Sequence, residues 1–176
     1  MSRRLFPLSA SLLGSRMPIH RPSRAVTAAG VLLGAGLVAL ADGITFHMLL
    51  RWHQMVSARV PPTTVATVHH NTFWDGVLHA GAWLLVVAGV SLLWRAARGG
   101  GTIPPTRVFV GNVLLGAGGF NLVEGLVDHH LLRLHHVRDV ADPLRYDLAF
   151  LLVGGVLLAA VGWGMARDER GRRYRR

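Results

Sequence analysis

Four long apolar runs, none interrupted by proline, constrain this chain more than any other feature. They cover roughly Ala25–Trp52, Thr72–Trp94, Arg107–Leu132 and Leu144–Ala166. A helix needs about 20 apolar residues to cross a bilayer. In hydrocarbon, only helices and closed barrels satisfy their own backbone. Each run is long enough to span, so an all-α, integral membrane four-helix bundle is expected over residues 25–166. A cytoplasmic tail (1–24) precedes it and a short basic tail (167–176) follows. The prolines mark boundaries instead: Pro61-Pro62, Pro104-Pro105 and Pro143. Asp142-Pro143 predicts an N-cap followed by the first position of the fourth helix.

Composition agrees, with 51% hydrophobic and 16% charged residues. There is no cysteine, which excludes disulfides, thiolate metal sites and cysteine nucleophiles. A net charge of +10 would ordinarily raise nucleic-acid binding. Its placement removes that reading, because every basic residue other than histidine is an arginine in a tail or short connection. Anionic lipid headgroups are the expected partner there, and nucleic acid is not. Alternate connections carry fourteen and five arginines, so both termini are expected in the cytoplasm. Trp52 and Trp74 then sit near the outer interface, and Trp94 and Trp163 near the inner one. The segment Ser2–Phe6 loosely resembles a twin-arginine signal. Its apolar run is short, broken by Pro7 and followed by no small-residue cleavage site. A disordered cytoplasmic tail is expected, or a start at Met17.

This orientation gathers the polar residues at one face. Nine of the ten histidines lie on the outer side, His20 being the exception, while the inner halves of the runs are Leu, Val, Ala and Gly. The richest stretch is Phe120–Val137, FNLVEGLVDHHLLRLHHV. At 100° per residue, Asn121, Glu124, Asp128 and His135 share one helix face, and His129 and His136 a neighbouring one. An acid at a helix centre costs about 2.5–3.5 kcal/mol on insertion scales, so such residues usually face a bundle interior and have a function.

The stretch occurs twice. GAGLVALADGITFHMLLRWHQM (Gly34–Met55) aligns without gaps with GAGGFNLVEGLVDHHLLRLHHV (Gly116–Val137). Gly34, Ala35, Gly36, Leu40, Gly43, His47, Leu49, Leu50, Arg51 and His53 have identical partners, and Asp42 is matched by Glu124. Trp74-Asp75 and Tyr146-Asp147 relate the second and fourth helices more weakly. We expect two parallel-repeat helical hairpins, over about 25–97 and 105–166, with the first and third helices bringing His47 and His129 to equivalent inward positions. The glycines of both copies serve close helix packing.

Glu124 and Asp128, one helical turn apart, would repel unless one is protonated or a cation lies between them. The expected metal ligands are Asp42, His47, Asp75, His79, Glu124, Asp128 and His129. Such His/carboxylate sets suit divalent Zn, Fe, Mn or Cu, and helical bundles build mono- and dinuclear centres from them. Phe46 and Leu151 replace Asp128 and His79 in the other copy, so the third-helix half is expected to bind more tightly. His53, His69, His70 and His136 read as solvated interfacial residues. Arg51 and Arg133 read as snorkelling to headgroups, and Asp139 and Asp142 as loop and cap residues. The leading reading is a metal-handling membrane protein. Alternatives are a dinuclear non-haem oxidoreductase, a bis-His haem b carrier using His47 and His129, a proton or ion relay, and a purely structural hydrogen-bond network. The many carboxylates disfavour haem, which needs an apolar slot.

Through ADGITFHMLLRWH, WDGVLHAGAW and FNLVEGLVDHH, the chain resembles the bacterial four-helix membrane family designated domain of unknown function 2243. The likeness covers about residues 27–166. It implies a multi-pass plasma (inner) membrane protein with four spans and no assigned activity. It also implies a neighbourhood with respiratory-oxidase assembly factors, hence a possible assembly partner and copper or haem traffic.

Overall fold

A computed structural model describes residues 24–100 and 104–172, with side chains to Arg167. Residues 1–23, including His20, Met17 and the twin-arginine-like segment, and residues 173–176 lie outside the described residues. Four helices span: α1 (Arg24–Leu49), α2 (Val65–Arg98), α3 (Thr106–Leu131) and α4 (Leu144–Arg167). There is no strand among the described residues.

The four stand in a row. α1 packs against α2 and α3, and α3 packs against α4, which leaves α2 and α4 on the flanks. The inner helices bury 39% and 44% of their apolar stretches, the flanking helices only 11% each. Trp83, Leu84, Leu152 and Val153 on the flanks are exposed and face lipid. The central seam is made close by glycine. A Cβ on Gly34 would overlap the Val113 carbonyl, and one on Gly116 would overlap that of Val31. Without a hydrophobic drive in lipid, such close approach supplies the contact that holds helices together.

Both inner helices change winding at the same end. α1 is α-helical to Asp42 and π-helical over Gly43–Leu49. α3 is α-helical to Glu124 and π-helical over Gly125–Leu131. Each then closes alike. Leu50 N–H donates to Thr45 O and Trp52 N–H to Phe46 O; Leu132 N–H donates to Val127 O and Leu134 N–H to Asp128 O. Between these bonds, Arg51 and Arg133 both have φ of 51°. A left-handed non-glycine residue costs about 1–3 kcal/mol. Here it satisfies orphan helix carbonyls in a wide Schellman-like cap and turns the chain back toward the bundle.

Two boundaries differ from the sequence reading. α2 begins at Val65, earlier than Thr72, because Thr64 and Thr67 form a reciprocal capping box. The added turns carry His69 and His70, which are exposed as expected. α4 begins at Leu144 with Pro143 as its cap, and no side chain caps it. Asp142 is exposed, and the Pro143 carbonyl instead accepts from Tyr146 and Asp147. α4 also winds as a π-helix over Phe150–Leu157.

Candidate metal centre

The π winding decides which side chains meet. Residues five apart lie about 140° apart around an α-helix, but π hydrogen bonding from i to i+5 stacks them. His47 thereby comes over Asp42 (Nε2–Oδ2 3.4 Å) and His129 over Glu124 (Nε2–Oε1 3.7 Å). The reversals at Arg51 and Arg133 then return His53 and His135 into the same space. His53 is 4% exposed and His135 fully buried. The rings form a connected set, with centroids 4.3 Å apart for His47–His53, 4.6 Å for His53–His135 and 4.7 Å for His129–His135.

Each of three rings has its Nδ1 committed to an acceptor. His47 Nδ1 donates to Asp75 Oδ1 at 2.8 Å. His53 Nδ1 donates to the Val137 carbonyl at 2.8 Å, and His135 Nδ1 to the Met55 carbonyl at 3.0 Å. The last two bonds are an exchange, since each returning loop supplies the acceptor for the other's imidazole. Asp75 and Asp147 hold the loops in place by accepting the Met55 and Val137 amides at 2.8 and 2.9 Å. With Nδ1 occupied, Nε2 is the only nitrogen through which these rings bind anything. Orientation of this kind, by carboxylates and backbone carbonyls behind the ring, is the usual support of a metal-binding histidine.

The Nε2 atoms converge in two groups. In one, the ligand atoms of His47, His53 and His135 lie within 4.8 Å of one another, all three residues being buried. In the other, His129 Nε2, His135 Nε2 and Glu124 Oε1 are separated by 3.1, 3.4 and 3.7 Å. A tetrahedral ion with ligands at 2.0–2.1 Å sets its donor atoms about 3.3–3.4 Å apart. The second group therefore has the edges of a metal site, and it needs either a cation or a shared proton to be stable. Buried and without a hydrogen-bond partner are His47 Nε2, His53 Nε2 and Glu124 Oε2. Burial, with His135 and His47 alongside, pushes the His53 imidazole down to about 2, so its Nε2 carries a free lone pair at neutral pH. These buried His and Glu groups could hold a metal ion.

A polar and aromatic cover closes the site. The Arg138 guanidinium lies over Trp52 at 5.0 Å and Tyr146 at 5.3 Å, and Arg138 Nη1 donates to the Tyr146 hydroxyl. Across the two loops, Ala58 N–H donates to Leu134 O and Asp139 N–H to Trp52 O. Arg59 Nη2 reaches the Leu132 carbonyl at 2.6 Å.

Of the residues expected from sequence, Asp42, His47, Asp75, Glu124 and His129 are brought together and buried. Asp75 stands behind His47, not at the converging atoms. Asp128 is half-buried and belongs to neither group, because π winding stacks His129, not Asp128, over Glu124. His79 Nδ1 donates to its own helix at Asp75 O, and its Nε2 end packs against Gly43. His53 is buried, not solvated. His136 is half-buried and donates from Nδ1 to Asp147 Oδ2 at 2.6 Å. His53, His135 and Asp147 are the members missed. The gapless alignment already pairs His53 with His135 and was the available signal. His135 does reach Glu124, but through the reversal at Arg133 and not along a helix face.

The pattern of the family described as "Predicted membrane protein (DUF2243)" matches residues 29–169. The chain belongs to this family. No curated protein and no solved structure matches it. For this DUF2243 chain, the four spans make it a multi-pass membrane protein, and the buried His/Glu groups at one end of the bundle are its candidate site.

Proposed function

We propose that the protein binds a transition-metal ion in the buried centre formed by His47, His53, Glu124, His129 and His135. One observation carries this reading: imidazoles whose Nδ1 atoms are held from behind aim their Nε2 atoms at a common space, where that of His53 is buried and unpartnered. A structural network would pair that atom. Imidazole and carboxylate donors suit Zn(II), Fe(II), Mn(II) or Cu(II). Met48, a thioether at this end of the bundle, is exposed. Haem between His47 and His129 is disfavoured, because the rings of the set contact one another and leave no slot for a macrocycle. The matched bonds of the two halves support descent from a duplicated hairpin, which would give the centre its pseudo-symmetry.

Elemental analysis of detergent-purified protein tests the reading. After chelator treatment, the protein should take up Zn²⁺ in stoichiometric amount and show no Soret band. A chain that takes up no metal at micromolar concentration would leave a proton relay or a structural network in its place.

In the same reading, both termini are cytoplasmic and the centre faces outward. A reporter fused after Arg176 should behave as internal, and one inserted within 61–64 as external. The reverse pattern would move the centre to the inner face.

A further inference from the structure

The two groups of converging donors share one residue, and that residue cannot serve both at once. His135 Nδ1 is spent on the Met55 carbonyl, so the ring has a single donor, Nε2, and cannot bridge two ions. The His47/His53/His135 and Glu124/His129/His135 groups are therefore alternatives. We propose that the protein carries one exchangeable divalent cation that moves between two adjacent positions by changing partners around a fixed His135. This rests on the metal reading above and adds to it a stoichiometry and a path.

The two positions differ in chemistry. The first offers three imidazoles, with Asp42 Oδ2 3.4 Å from His47 Nε2. The second offers two imidazoles and the Glu124 carboxylate, with Asp147 Oδ1 3.5 Å behind His129 Nδ1. His53 and His135 stack with planes 6° apart and their ligand atoms lie within 4.8 Å of each other, so the ion can leave His53 while His135 still holds it. Two alternative positions suit transient holding of a mobile cation better than permanent storage of a cofactor.

Zn²⁺ titration of the chelator-treated full-length protein, read by elemental analysis and competition with a chromophoric chelator, decides the matter. Wild type should saturate at one Zn²⁺ per chain. His53→Ala, which removes a donor from the first position only, should still bind one ion, with affinity within about tenfold of wild type. Glu124→Gln, which touches only the second position, should do the same. The double variant should lose more than about 100-fold, since ligand and supporting groups are each worth tenfold or more. Two ions per wild-type chain would overturn the shared-ligand proposal while leaving the metal reading intact. Complete loss of binding in either single variant, with the protein still monodisperse, would reduce the two positions to one. No uptake by wild type would remove the metal reading itself. The wild-type stoichiometry needs no variant, so a misfolded substitution does not block the test.

Discussion

Substituting His135 with alanine is expected to lower Zn²⁺ affinity by at least about 100-fold, the largest loss of any single side chain in the centre. Loss of a mere supporting group behind a ligand typically costs 10–100-fold, and His135 is a donor in both groups. The substitution also strips the Met55 carbonyl of its imidazole partner, and an unpaired buried acceptor costs about 1–3 kcal/mol. Unfolding in detergent should therefore be followed alongside binding. His136→Ala is the matched control. His136 contacts Asp147 from outside both groups, so its loss should cost about tenfold or less. If His135→Ala binds within threefold of wild type, the donor assignment is wrong.

Gly116→Val is expected to be the most destabilising substitution in the membrane-spanning part. Its new Cβ would overlap the Val31 carbonyl, and backbone cannot move aside as a flexible side-chain end can. Overpacking of a well-filled core costs about 1–3 kcal/mol, occasionally more, and here the only relief is separation of α1 from α3. Metal binding should fall with stability, because the His47/His53/His135 group draws on both helices. Gly119→Val is the control, since nothing lies within 4 Å of its Cβ position. Thermal unfolding in detergent compares the two. Equal midpoints would mean that the seam is not set by backbone contact.

The spans were legible because hydrocarbon imposes one rule on every residue of a run, and apolar length alone reports it. The seam glycines were legible for a related reason, since packing in lipid selects small residues. The centre was half legible. Asp42, His47, Glu124 and His129 announce themselves as costly residues in apolar helices. Asp128 misled because the sequence carries no mark of π winding, and the α periodicity assigned it the place that His129 takes. His53 and His135 lie beyond the last helical residue, where a helical wheel has no meaning. Their burial depends on two arginines adopting φ of 51°, a conformation that glycine or asparagine would have advertised. The identity of His53 and His135 within the aligned copies pointed to both, and the helical wheel set His135 beside Glu124 by the wrong route.

The exchange of carbonyls between the returning loops has a consequence for how the molecule comes together. His53 is oriented by Val137 and His135 by Met55, so neither of these two imidazoles is oriented by its own hairpin. On the metal reading, an ion bound by His47, His53 and His135 would join groups from both hairpins. Mass action would then make that ion a clasp, stabilising the joined state in proportion to the logarithm of its free concentration.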